Sequence, residues 1–136
     1  MKAGQGEGAD PRARLLRRLA QEVACVRPLS TADVALLVGR HPRELIEDSQ
    51  RAAATRHLPP DLRLQAHLRH VVAVVSLAAR HCESLFYALC WYRTAMLPGA
   101  GGRTPEDLTA EGNEAHACRS LALQAANDDR VASFSA

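Results

Sequence analysis

Between residues 61 and 80 the apolar side chains fall at Leu64, Leu68, Val71, Val72, Val75, Ala78 and Ala79. That spacing closes one face of an α-helix and no face of a strand. The rest of the chain keeps the same period. Residues 11–26 open on Pro11, place Leu15, Leu16, Leu19, Val23 and Val26 on one side, and stop before Pro28. Aromatic residues make up 4% of the chain, and alternating β-branched runs are nearly absent. An all-α protein follows, a small helical bundle within 136 residues.

Punctuation divides the bundle. Ser30 or Thr31 is placed to cap a helix over 31–38, with Asp33 where a capping-box acid would sit, Gly39 to turn the chain, and Pro42 to start a further helix to about residue 54. Ala35, Gly39 and Leu45 repeat the small, turn and apolar spacing of a helix-turn-helix. Arg40 stands in that pattern where an apolar residue is usual, and Asp48 stands at a usual core position. HLPPDL at 57–62 breaks the chain between two separately amphipathic stretches. The expected organisation is a disordered leader at 1–10, a helix-turn-helix-like unit at 11–57, a helical domain at 61–126 and a tail at 127–136. The helix over 84–96 is apolar almost all round and is expected in the middle of the core, with Trp91 and Tyr92. The last helix is expected over 113–126, with Cys118, Leu121, Ala122 and Ala125 inward.

Several functions are disfavoured. A net charge of +2 gives no general steering toward nucleic acid, although PRARLLRR at 11–18 is locally basic. If the first unit binds DNA, the contacts would come from Arg40, His41, Arg43, Glu47, Gln50 and Arg51, with help from the arginines at 12, 14, 17 and 18. Glu44 and Glu47 would repel phosphate there. The cysteines at 25, 82, 90 and 118 form no CxxC pair, which fits free thiols in a reducing cytoplasm. No apolar window is long enough to span a membrane, and MKAGQGEGADPR lacks a signal-peptide core. His67 and His70, three apart on a helix, read as solvated residues rather than metal ligands. No nucleophile sits in a recognisable motif and Asp128 and Asp129 fall in the tail, so neither an enzyme nor a cofactor is expected.

LPGAGGRTPEDL at 97–108 concentrates glycine. As a phosphate cradle it fails: a helix precedes it, it holds no lysine, and Glu106 and Asp107 would repel an anion at the following helix start. As a corner it succeeds. Pro98 and Gly99 stop one helix, Gly101 and Gly102 allow a bend, and Thr104-Pro105 starts the next.

The corner also carries a resemblance. YRTAMLPGAGGRTPEDLTAEG, residues 92–112, resembles the signature of the Xre/MbcA/ParS-type antitoxin toxin-binding domain. Tyr92, Pro98, Gly101, Gly102, Thr104, Pro105, Leu108 and Gly112 fill the motif's places. Ala100, Met96 and Thr109 depart from it, standing where a large apolar residue, a proline and an apolar residue are common. The resemblance implies an antitoxin of a type II pair that blocks a cognate toxin, most often a NAD-consuming RES-domain protein, and that often represses its own operon. It implies toxin contacts near Arg93, Pro98, Gly101, Gly102, Arg103, Thr104 and Glu106. A DNA-binding regulator without a toxin is the alternative reading. The apolar helices at 61–80 and 84–96 carry enough hydrophobic surface to suggest a homodimer.

Overall fold

A computed structural model describes the backbone of residues 10–135 and the side chains of residues 10–127. Among the described residues there are α-helices and one 3-10 turn, and no strand. The leader expected at 1–10 lies outside the described residues except for Asp10, which caps the first helix by accepting from Arg12 N at 2.9 Å. That helix, α1, spans Pro11–Ala24. It stops short of the expected residue 26. Val26 takes a left-handed φ of 55° and Arg27 N closes back on Glu22 O at 2.8 Å, so a C-terminal turn ends the helix before Pro28 can.

Helix α2, Thr31–Val38, starts at Ser30, whose hydroxyl accepts from Asp33 N at 3.2 Å. The Asp33 carboxylate pairs with Arg18 of α1 instead of returning to the cap. Gly39 ends α2 at φ 72°. Helix α3, Pro42–Ser49, is capped by His41 and Glu44 in a reciprocal box. It is shorter than the expected run to residue 54: Ala53–Thr55 form a separate 3-10 turn. Helix α4 then runs Pro60–Cys82, α5 Leu85–Thr94, α6 Pro105–Ala110 and α7 Glu114–Ser135. The segment 127–136 was expected as a tail, but helix continues through Ser135. No glycine or proline interrupts it after Gly112, so nothing in the backbone stops propagation.

The central helix is α4, not α5. It buries His67, Leu68, Val71, Val72, Val74, Val75 and Ala78, more of its circumference than a surface helix does. Each fully buried valine or leucine there contributes about 1.5–3 kcal/mol. Helix α5 buries only Ala88, Leu89 and Tyr92, and Phe86 and Tyr87 are 68% and 65% exposed. Trp91 is half-buried against the core. At ten residues α5 cannot surround itself with neighbours as the 23-residue α4 does. One core cluster joins Leu19 of α1, Val34 and Leu37 of α2, Leu45 of α3, Leu68 and Val72 of α4, Tyr92 of α5 and Leu108 of α6. Residues on both sides of the Pro59-Pro60 break therefore share one core. Gln65 fastens them further: its amide donates to Leu29 O at 3.0 Å and accepts from Leu29 N at 2.8 Å. In α7, Ala117 and Leu121 face inward, whereas Ala122 is exposed. No helix among the described residues is long and apolar enough to cross a membrane.

Candidate partner-binding corner

The chain leaves α5 at Ala95 and makes a compact loop before α6. Leu97 N donates to Arg103 O at 3.3 Å, and Ala100 N to Leu97 O at 3.2 Å. Leu97 and Ala100 are buried beneath it. Gly99, Gly101 and Gly102 have φ of 73°, 64° and 83°. A side chain at Gly101 or Gly102 would meet nothing within 4 Å, so the requirement there is backbone conformation and not space. Thr104 then caps α6 in a reciprocal box: its hydroxyl accepts from Asp107 N at 3.1 Å, and its N–H donates to Asp107 Oδ2 at 3.2 Å. Thr109, which replaces an apolar residue of the motif, is buried and donates to Pro105 O at 2.8 Å. Tyr92 is buried beside Thr109, and burial pushes its hydroxyl well above the usual tyrosine range.

A chain of ion pairs crosses from this corner to the α2–α3 turn. Arg93 Nε lies 3.2 Å from Glu106 Oε1, and Arg40 Nη1 lies 2.8 Å from Glu106 Oε2. The two carboxylate oxygens of Glu106 are thus divided between the two arginines. Arg40 also reaches Glu44 at 3.2 Å and Asp48 at 3.4 Å. Asp48 holds Arg51 at 3.4 Å, Arg51 reaches Glu111 at 3.7 Å, and Glu111 returns to Arg103 at 3.1 Å. Burial opposes the Arg40 charge, but Glu106, then Glu44 and Asp48, outweigh it and hold the guanidinium charged above its ordinary range. Glu44 is held below the usual carboxylate range by the His41 N–H and by Arg40. Arg93 also donates to Val38 O at 2.8 Å and Gly39 O at 3.3 Å, capping the end of α2 from another helix.

The candidate residues thus divide. Of the DNA set, Arg40 and Arg51 serve carboxylates, and the His41 ring accepts from Arg43 N at 3.0 Å. Arg43 and Glu47 on α3 and Gln50 just after it remain exposed, with one positive and one negative charge between them. Of the toxin set, Arg93, Glu106 and the exposed Arg103 belong to the ion-pair chain, Thr104 is a cap, and Pro98, Gly101 and Gly102 are exposed. Arg40 and Asp48, the two residues that misfit the helix-turn-helix pattern, answer each other. Two compensating misfits on neighbouring turns were the available signal for the pair; Glu106 and Glu111 lie too far along the chain to be matched to them by pattern.

His67 differs from its expected solvated state. It is 6% exposed, its Nε2 has no partner, and burial lowers it to about 4, against a smaller opposite pull from Asp48. His70 lies 3.5 Å from Glu114. Among the described residues no group of three or more His, Cys, Asp or Glu is arranged to hold a metal ion. No family model matches the chain, and neither the curated proteins nor the solved structures give a match.

Proposed function

We propose that the protein is an antitoxin, neutralising a partner toxin by binding it. The observation that carries this reading is the corner at 97–105. Gly101 and Gly102 hold left-handed φ, and Thr104 and Asp107 close a capping box at the start of α6. Each residue type in the Gly-Gly-x-Thr-Pro run therefore has a conformational reason to be there, while the likeness to the antitoxin signature rests on the sequence. The corner projects an exposed edge at Pro98, Gly101, Gly102 and Arg103, which is where a partner would meet the chain. A RES-domain toxin is the proposed partner class, and the NAD chemistry would be the toxin's.

Operator binding is the weaker companion proposal. The arginines it would use at 40 and 51 are engaged by Asp48, Glu106 and Glu111, and α3 presents Glu47 beside Arg43. The test of the antitoxin reading is co-expression with the product of the neighbouring reading frame, reading growth and cellular NAD. Restored growth and NAD, together with co-purification of the two chains, supports it. A neighbouring product that is harmless, or whose toxicity this protein leaves unchanged, contradicts it.

A further inference from the structure

The formal charges of the corner are spent inside the fold. Arg93 and Arg40 divide Glu106, Arg103 is held by Glu111 at 3.1 Å, and Asp107 closes the cap of α6. Arg103 also turns an N–H toward Ala100 O at 3.4 Å. From the other side, His116 of α7 brings Nε2 to 3.1 Å from Pro98 O. What the loop still offers to a partner is therefore uncharged.

Met96 is the largest part of that offer. Its side chain is 76% exposed, and no large apolar side chain among the described residues is more so. A single apolar residue in water is ordinary on a protein surface and needs no partner. Met96 differs in how it is held. Ala95 before it packs against the core, and Leu97 after it is buried. Ala95 leaves α5 in extended backbone, with φ −70° and ψ 129°, so successive side chains alternate in, out and in. The fold thus fixes the backbone on both sides of a side chain that takes no part in either core cluster. Exposed Pro98 extends the apolar surface, and the N–H groups of Gly99, Gly101 and Gly102 reach no carbonyl among the described residues.

We propose that Met96 is the anchor with which the corner engages its partner, and that the partner's matching surface is an uncharged apolar hollow with hydrogen-bond acceptors at its rim. The proposal rests on the antitoxin reading, so the partner is the toxin. Methionine suits the task because its unbranched thioether chain adapts to an irregular hollow. One well-buried anchor can carry much of an interface's free energy, while the contacts around it mainly exclude water. Charge has little part in this recognition, because the ionised groups of the corner keep their partners within the chain.

Isothermal titration of the full chain against the purified product of the neighbouring reading frame tests this directly. Met96→Glu should weaken the complex at least about tenfold, and Met96→Leu should stay within about threefold of the wild type. Both should keep the helical circular dichroism and melting temperature, since the position is exposed. Raising sodium chloride from about 50 to about 500 mM should change the affinity by less than about threefold, because no exposed ion pair has to form. Hydrogen peroxide should oxidise Met96 in the free chain and spare it in the complex, as read by peptide mass spectrometry. A Met96→Glu variant that binds like the wild type overturns the anchor and leaves the antitoxin reading standing. Equal oxidation of Met96 in the free and bound chain does the same. A loss of more than about tenfold in salt overturns the uncharged interface and brings the corner's arginines back into it. A wild type that binds no such product removes the antitoxin reading and the anchor together.

Discussion

Arg93 and Phe86 sit two turns apart on α5. Arg93 gives its guanidinium to Glu106 and to two carbonyls at the end of α2. Phe86 is 68% exposed beside Tyr87 and serves nothing in the fold. The inner end of the helix meets the corner, where charge is gathered, matched and partly buried. The outer face keeps apolar surface in water. Along α5, then, charge at the inner end fastens the fold, and the apolar surface at Phe86 does not. That reverses the usual expectation for the arginines at a helical corner.

The largest test of the contrast removes the centre of the ion-pair chain. Arg40→Ala leaves Glu106, Asp48 and Glu44 facing one another, with Arg40 itself only 15% exposed in the side chain. Glu106 keeps Arg93 and Asp48 keeps Arg51, so losing the shared cation should cost about 1–3 kcal/mol in urea denaturation. A loss below about 0.5 kcal/mol, the range of an ordinary surface change, would mean the network is ornamental.

Acid should weaken the same region next. His67 is buried and neutral, with its pKa lowered to about 4 from an ordinary 6.5, and it faces Asp48, His70, Arg40 and Arg51. The unfolded chain therefore takes up the proton first. Stability is complete above about pH 6.5 and falls as the pH drops toward 4, by up to about 1.4 kcal/mol per pH unit. Between pH 6.5 and 5, above the carboxylate range, a His67→Leu variant should show a flatter melting-temperature profile than the wild type. Identical slopes would remove His67 from the explanation.

At the loop itself, Gly102→Val should cost on the order of 1–3 kcal/mol from strain alone, since φ is 83° and no atom lies within 4 Å. Gly112→Val should cost more, because its Cβ would also approach Ala52 Cβ at 3.0 Å. Equal thermal shifts for the two would show that space contributes nothing. On the outer face, Phe86→Ser should change stability by less than about 0.5 kcal/mol, as exposed positions do. A large loss there would erase the distinction between fastening and free surface.

How much of this was legible in the sequence follows from where each constraint acts. Pro11, Ser30, Gly39, Pro42, Pro60 and Thr104 act within a turn of themselves, and the starts and stops they imply are close to those observed. Besides the end of α7, which runs past the expected residue 126, two ends were misplaced. α1 stops at a left-handed Val26, where a β-branched residue is a poor choice and gives no signal. α3 stops eight residues in, at Ser49, with no glycine to mark it. Which face of α5 turns inward was illegible because FYALCWY is apolar on every side, so its pattern favours no direction. Burial of His67 was illegible for a related reason: its neighbours Gln65, Arg69 and His70 read as a polar surface, yet α4 is enclosed widely enough to take His67 in. Of the corner, the bend and cap were readable from Gly-Gly and Thr-Pro. The engagement of Arg93 and Glu106 was not, because it depends on Arg40 and Val38 arriving from the other end of the chain.

The measurement closest to the central claim, that the corner's charges serve one another, is a double-mutant cycle on Arg40→Met and Glu106→Gln followed by urea denaturation. If the pair fastens the α2–α3 turn to the corner, the double variant should be less destabilised than the sum of the single ones, with a coupling of about 1–3 kcal/mol. Single effects that simply add, within about 0.5 kcal/mol, would contradict it and return both side chains to the pool of surface charges free to meet a partner.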